Sequence, residues 1–221
     1  MDLRTLTWIS HSLQSLRLLP LAAGWVHVRS TRFQDEPWLP WLFGYLIADA
    51  AFEVVLLGMA MRSIRTYGML DLAILPSFAL QALILIKMAR GANLRGPLVT
   101  VGFLVATLCT WEGWHGGLSP KWSAAMVISS LAILCASLWL ILQQLLDAQS
   151  VPLFQRPAFW LAGSWVVEQG SSMLLSAGTP LFLRTLSPRW IGLPWITHDL
   201  ICAAMTFTTA KAFLCLKPRS S

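Results

Sequence analysis

Seven runs of mostly apolar residues, each long enough to cross a bilayer, constrain this chain more than any other feature. They cover roughly 6–28, 38–61, 69–89, 97–115, 122–146, 157–178 and 192–216. A spanning helix needs about 20 such residues, each rising about 1.5 Å. The breaks between runs carry Arg, Gly and Pro, and Pro37, Pro97 and Pro157 fall at or near first helical positions. Proline is tolerated best there, because its missing N–H would have no helical partner anyway. Connections this short make sequential helices antiparallel neighbours. The expected fold is all-α: a polytopic membrane protein, with one seven-helix transmembrane bundle and short loops filling 1–221.

Charge supports that reading. Only 12% of residues are charged and 56% are hydrophobic, whereas soluble domains are about a quarter charged. The formal net charge of +6 comes from Lys and Arg placed singly or in pairs near the ends of apolar runs. There they meet lipid headgroups, and no nucleic-acid partner is expected. Cys109, Cys135, Cys202 and Cys215 all sit inside apolar runs without CxxC or zinc-type Cys/His spacing, so they read as small core residues. Met1-Asp2-Leu3-Arg4 opens no signal peptide, and the first helix is expected to stay.

Seven crossings put the two termini on opposite sides. Six Lys and Arg residues then fall on the N-terminal side and eight on the other, with Lys211 able to snorkel towards the latter. The positive-inside rule places the C-terminus in the cytoplasm and the N-terminus outside, in a plasma (inner) membrane. Trp8, Trp111, Trp114, Trp122, Trp190 and Trp195 fall near one membrane face, and Trp25, Trp38, Trp41 and Trp160 near the other. Trp139 and Trp165 lie deeper and read as packing residues.

The ionisable residues at membrane depth carry the functional expectation, because charge there is costly and marks either function or an obligatory pair. Measured from the N-terminal side, Arg17 lies roughly 16 Å deep, Glu53 about 12 Å and Asp49 about 18 Å. Glu168 lies about 15 Å deep, and His198 and Asp199 about 10 Å. Trp41, Tyr45, Asp49 and Glu53 recur every four residues on the second helix, and Trp195, Asp199, Cys202, Thr206 and Thr209 form a similar stripe on the seventh. Glu168-Gln169-Gly170-Ser171-Ser172 is polar on every face of the sixth. Such faces are expected to point inward, around a polar pocket open to one side.

Glu53, Asp49, Glu168 and Asp199 are the candidate catalytic residues, since a carboxyl group held neutral in apolar surroundings is a proton donor. Arg17, Tyr45, His198, Trp195 and Ser171 are the candidate binding residues. Arg17 is the natural partner of Asp49 and Glu53, although one arginine cannot neutralise three carboxylates. No cofactor and no metal are expected: Glu112, His115 and Asp199 lack a tight ligand motif such as HExxH. Pro76 is expected to free a backbone carbonyl near Ser77 and Gln81.

Two resemblances rest on these residues. The segments RLLPLAAGWVHVRS, GYLIADAAFEVV, RPAFWLAGSWVVEQGSSMLL and PWITHDLICAAMTF together resemble a group of uncharacterised bacterial seven-helix integral membrane proteins. That likeness covers most of the chain and implies no particular activity. Asp49-Ala50-Ala51-Phe52-Glu53 also looks like the Asn/aromatic/Glu arrangement on the second helix of small integral-membrane terpene cyclases. Those enzymes carry a second acid late in helix 7, where this chain has Lys211, so half of the catalytic pair does not carry over.

The leading expectation is a membrane protein that binds, senses or passes a small molecule or lipid through a one-sided polar pocket. One alternative is an intramembrane enzyme using carboxylic-acid chemistry on an isoprenoid or lipid. Another is a structural subunit with a membrane protein partner. Membrane lipids are partners in every case.

Overall fold

Local hydrogen bonding decides most of the architecture, because a backbone in apolar surroundings must satisfy its N–H and C=O groups within its own segment. The computed structural model describes residues 9, 12–13, 15–16, 18–28, 36–62, 67–89, 94–116, 123–147, 151–187, 190 and 192–216. Among them the fold is all-helical, with no strand. The helices are α1 (Leu18–Val28), α2 (Leu39–Met61), α3 (Tyr67–Met88), α4 (Arg95–Gly116), α5 (Ala124–Leu146), α6 (Pro157–Thr185) and α7 (Leu193–Leu214). A 3-10 turn, Leu153–Gln155, precedes α6.

Among the described residues three stretches are long and apolar enough to cross a membrane: Leu39–Met59, Arg95–His115 and Ala124–Leu146. A shorter apolar stretch, Ala73–Met88, lies in α3.

From α2 onwards boundaries follow the expected punctuation with two differences; much of the expected first helix before Leu18 lies outside the described residues. α4 starts at Arg95, so Pro97 is its third residue and still within the first turn, where no helical N–H is needed. α6 runs through Gly178 and Pro180 to Thr185, into what the sequence marked as a break. Proline removes one backbone hydrogen bond there. The chain around it stays helical, with Thr179 Oγ1 donating to the Leu175 carbonyl (2.7 Å) and Thr185 Oγ1 to that of Leu181 (2.8 Å). α3 likewise continues past Pro76.

The helices close into a ring. Each packs on its chain neighbour, α7 returns to α1, and α3 also reaches α5. α4 packs on the outside of α3 and α5: only 11% of its apolar window is buried, against 39% for α5. The most extensive contact is between α5 and α6. Small residues explain it, with Ala125, Ser129, Ser130, Ala136 and Ser137 buried on α5 and Ala162, Ser164, Ser172 and Ser176 on α6. Short side chains let two backbones approach closely. Two of these hydroxyls turn back on their own helix, Ser129 Oγ to the Met126 carbonyl (3.0 Å) and Ser164 Oγ to that of Leu161 (2.9 Å).

Arg156 ends α5 by donating to the carbonyls of Gln144 (2.7 Å), Asp147 (3.3 Å) and Val151 (3.0 Å). A cation at a helix C-terminus also meets the favourable end of the dipole. The core gathers Leu39, Leu42, Ile84, Leu85, Ile133, Leu161, Trp165 and Phe213. The outer face is apolar too, including Val54, Phe103, Leu146, Leu174 and Phe207.

Two expectations are corrected. Trp139 is 49% exposed and faces outward, whereas Trp165 is 2% exposed and packs inside. Of the cysteines only Cys202 is buried; Cys109 and Cys215 are half-buried and Cys135 is exposed. Both errors arise because an apolar run gives no sign of which side of its helix meets other helices.

Candidate functional site

A narrow cleft lies where α1, α2, α6 and α7 meet. Pro20 lines it from α1; Leu42, Tyr45, Leu46 and Asp49 from α2; Trp165 and Glu168 from α6; and Cys202, Met205, Thr206 and Thr209 from α7. Its volume is about 30 Å³. A cavity needs roughly 10–15 Å³ of such space to hold one water, and drug-sized ligands need about 300–1,000 Å³. The cleft therefore has the scale of water or a very small solute.

The four-residue spacing on α2 puts Tyr45 and Asp49 on one wall. Glu53, a turn further on, is half-buried and not part of the lining, and Trp41 at the start of the stripe is exposed. The inward expectation therefore fails at Trp41, which sits in the first turn of α2 and faces away from the bundle. On α7 the stripe turns inward: Asp199, Cys202, Thr206 and Thr209 are buried and Trp195 is half-buried. Arg17 lies outside the described residues, as do His11 and the side chains of His27 and Asp71.

A chain of side-chain hydrogen bonds fixes the Tyr45 wall. Gln81 Nε2 on α3 donates to Tyr45 Oη (2.9 Å), and Gln169 Nε2 on α6 donates to Gln81 Oε1 (3.3 Å). The Tyr45 ring meets Trp165 edge-on, with centroids 6.2 Å apart and an interplanar angle of 86°. Buried amides bonded to each other avoid the cost of unpaired polar groups and tie three helices to one geometry. Across the cleft Ser164 Oγ and Thr209 Oγ1 are 3.0 Å apart, linking α6 to α7.

Beside the lining, Ser171 Oγ donates to the Glu168 carbonyl (2.8 Å) and lies 3.0 Å from His198 Nδ1. Cys202 Sγ sits 3.5 Å from His198 Nε2 and 3.9 Å from Nδ1. Two of the candidate binding residues, Ser171 and His198, are thus in direct contact. The partnership of Tyr45 with Gln81 and the contact of His198 with Cys202 were not anticipated. The second had a signal, since residues four apart share a helix face. The first had none, because it joins residues 36 positions apart.

Glu112 and His115 belong elsewhere. Glu112 Oε1 accepts from the backbone N–H of Ala124 (2.7 Å) and Ala125 (3.3 Å), and Ser123 Oγ donates to Oε2 (2.8 Å). The carboxylate covers the N-terminus of α5, where exposed N–H groups and the helix dipole favour an anion. His115 stacks on Trp111 at 3.8 Å and is exposed. Among the described residues no three His, Cys, Asp or Glu side chains gather as metal ligands would.

Glu112→Ala is expected to lower stability by about 1–2 kcal/mol, the usual cost of losing a helix cap. Thermal unfolding of the purified protein checks this. A midpoint unchanged from wild type would mean that the contact contributes nothing.

No protein-family model, curated protein or solved structure matches the chain.

Proposed function

We propose that this chain is a seven-helix integral membrane protein whose cleft binds, senses or passes a small polar molecule within the membrane. The observation that carries this reading is the cleft itself: Tyr45, Asp49, Glu168, Thr206 and Thr209 converge on one water-scale space. Hydroxyl and carboxyl groups along one cleft can hydrogen-bond a small polar molecule, and ionisable residues at membrane depth often mark a substrate path. The shell supports the membrane setting. Val54 is 66% exposed, Phe103 73% and Leu146 77%, and soluble monomers rarely present such extended apolar surface. α6 and α7, with 29 and 22 residues, reach about 43 and 33 Å at 1.5 Å per residue, enough for a hydrocarbon core of about 30 Å. We place the N-terminus outside and the C-terminus in the cytoplasm, by the bias of Lys and Arg.

Size favours a small solute over a lipid. An isoprenoid needs a pocket about ten times larger, so terpene-cyclase-like chemistry would require the four helices to part. The test is to purify the protein in detergent, extract it and identify retained compounds by mass spectrometry. A small polar compound at near-stoichiometric level is expected, lost in the Asp49→Asn/Glu168→Gln double variant while the thermal midpoint holds. A stoichiometric lipid or isoprenoid would overturn the size argument. Nothing retained, together with a co-purifying membrane protein, would replace binding by a structural role.

A further inference from the structure

Among the described residues, α4 buries the smallest share of its membrane-length stretch, 11%. Its open face carries Gly96, Thr100, Phe103, Thr107, Thr110 and Trp114, six exposed residues at steps of four and three. Every helix face recurs at that spacing, so composition is what distinguishes this one. On α5 the exposed large side chains are mostly leucines: Leu131, Leu138, Leu142, Leu145 and Leu146. Lipid tails are as apolar as leucine, so such a face gains little from meeting another helix. On α4 glycine and threonine alternate with aromatics instead. Thr100, Thr107 and Thr110 donate their hydroxyls to the carbonyls four residues back, at 3.1, 2.8 and 2.8 Å, so the polar groups of this face are satisfied within α4. A groove of about 590 Å³ lies between Phe103 and Trp114, floored by Ala106, Thr107 and Thr110. A belt of aromatics at headgroup level accounts for Trp111 and Trp114 alone. It does not account for Phe103, about 12 Å deeper, or for the small residues of the floor.

We infer that this face of α4 docks on α4 of a second copy of the chain, in a parallel two-fold dimer. Surface area argues for that occupant. Phe103 is 73% exposed, Trp111 61% and Trp114 85%; with about 150–250 Å² per aromatic side chain, these three offer roughly 450 Å² per copy. Val99, Leu104 and the three threonines, also exposed, bring the face towards the scale of a stable interface, about 800 Å² per partner. The parallel arrangement rests on the membrane setting proposed above, and not on what the cleft binds. Copies inserted the same way round are related by a two-fold axis along the membrane normal, so each position of the seam meets itself. Thr100, Thr107 and Thr110 then face their own counterparts, and short side chains let the two backbones approach. Phe103 and Trp114 fill the space that the threonines leave.

The experiment places single cysteines in the full-length protein, with Cys109, Cys135 and Cys215 replaced by alanine and the buried Cys202 kept. The variants are reconstituted in phosphatidylcholine vesicles and oxidised, and disulfide-linked dimer is read on a gel. Thr100→Cys, Thr107→Cys and Thr110→Cys are expected to cross-link strongly, because a disulfide needs Cα atoms within about 7 Å. Leu138→Cys on α5 and Phe207→Cys on α7, both exposed positions, are expected to stay monomeric. In otherwise wild-type protein, Thr107→Trp fills the groove from its own side. It is expected to raise the dimer dissociation constant on the order of tenfold, read by energy transfer on dilution with lipid, with the thermal midpoint unchanged. If that variant does not fold, Thr107→Leu carries the same test. A monomer at every protein-to-lipid ratio would overturn the inference, whether or not a lipid is retained on α4. So would cross-linking through Leu138→Cys or Phe207→Cys equal to that through α4, or unchanged dimer affinity in whichever Thr107 variant folds.

Discussion

Trp165→Ala is expected to destabilise the bundle by about 3–5 kcal/mol, the range for removing a large buried aromatic side chain. Trp165 is 2% exposed and stands on α6, between the extensive contact with α5 and the contact with α7. Its ring is held edge-on by Tyr45, whose hydroxyl is itself fixed by Gln81. Alanine would leave a void that the surrounding helices can close only in part, because four of them are tied by side-chain hydrogen bonds near that point. The same substitution enlarges the cleft, since Trp165 forms part of its wall. Chemical unfolding in detergent measures the loss, and Trp165→Phe should recover most of it by keeping an aromatic of similar shape. A loss below about 1 kcal/mol for Trp165→Ala, within the ordinary range for surface positions, would mean that this wall is not close-packed.

The second large effect is expected at Gly24. A Cβ added there would lie 2.9 Å from two ring atoms of Phe213 and 3.2 Å from Phe43. Phe213 is 1% exposed, so its ring has nowhere to go. Gly24→Leu should therefore push α1 away from α7, with an overpacking cost of about 1–3 kcal/mol. That seam closes the ring of helices, and α1 contributes Pro20 to the cleft. Parting it should speed labelling of Cys202 by a small thiol reagent as well as lower the unfolding midpoint. Gly24→Ala separates the two contributions. Alanine is favoured over glycine in a helix by about 1 kcal/mol, which offsets much of the clash, so its midpoint should stay near that of wild type. If Gly24→Leu left both the midpoint and Cys202 labelling unchanged, the close approach of α1 to α7 would not be what holds the ring shut.

Particular residues show how far the sequence could be read. The helix extents were mostly legible, because they depend on local apolar length and on where Pro and Gly fall. α6 was the exception: Pro180 looked like a stop, but a proline near a helix end costs one hydrogen bond while the turns around it keep theirs. The sequence set Asp49 and Glu168 at neighbouring levels, and the two line one cleft. The partners within that layer were not legible, as Tyr45 with Gln81 and Gln81 with Gln169 show.

The tryptophans explain the difference. Trp139 and Trp165 are the same residue type on the neighbouring helices α5 and α6, yet one is 49% exposed and the other 2%. In a helix with one polar face that face would have told them apart. Here large apolar residues such as Val54, Phe103 and Leu146 are exposed too, so hydrophobic pattern alone does not separate inside from outside. The sequence by itself determined that the chain is helical and where most of its helices run. Only the tertiary structure decided which faces meet, that α4 stays peripheral, and that Ser171 and Cys202 both contact His198. Helix formation needs only neighbours along the chain, whereas these choices need neighbours in space.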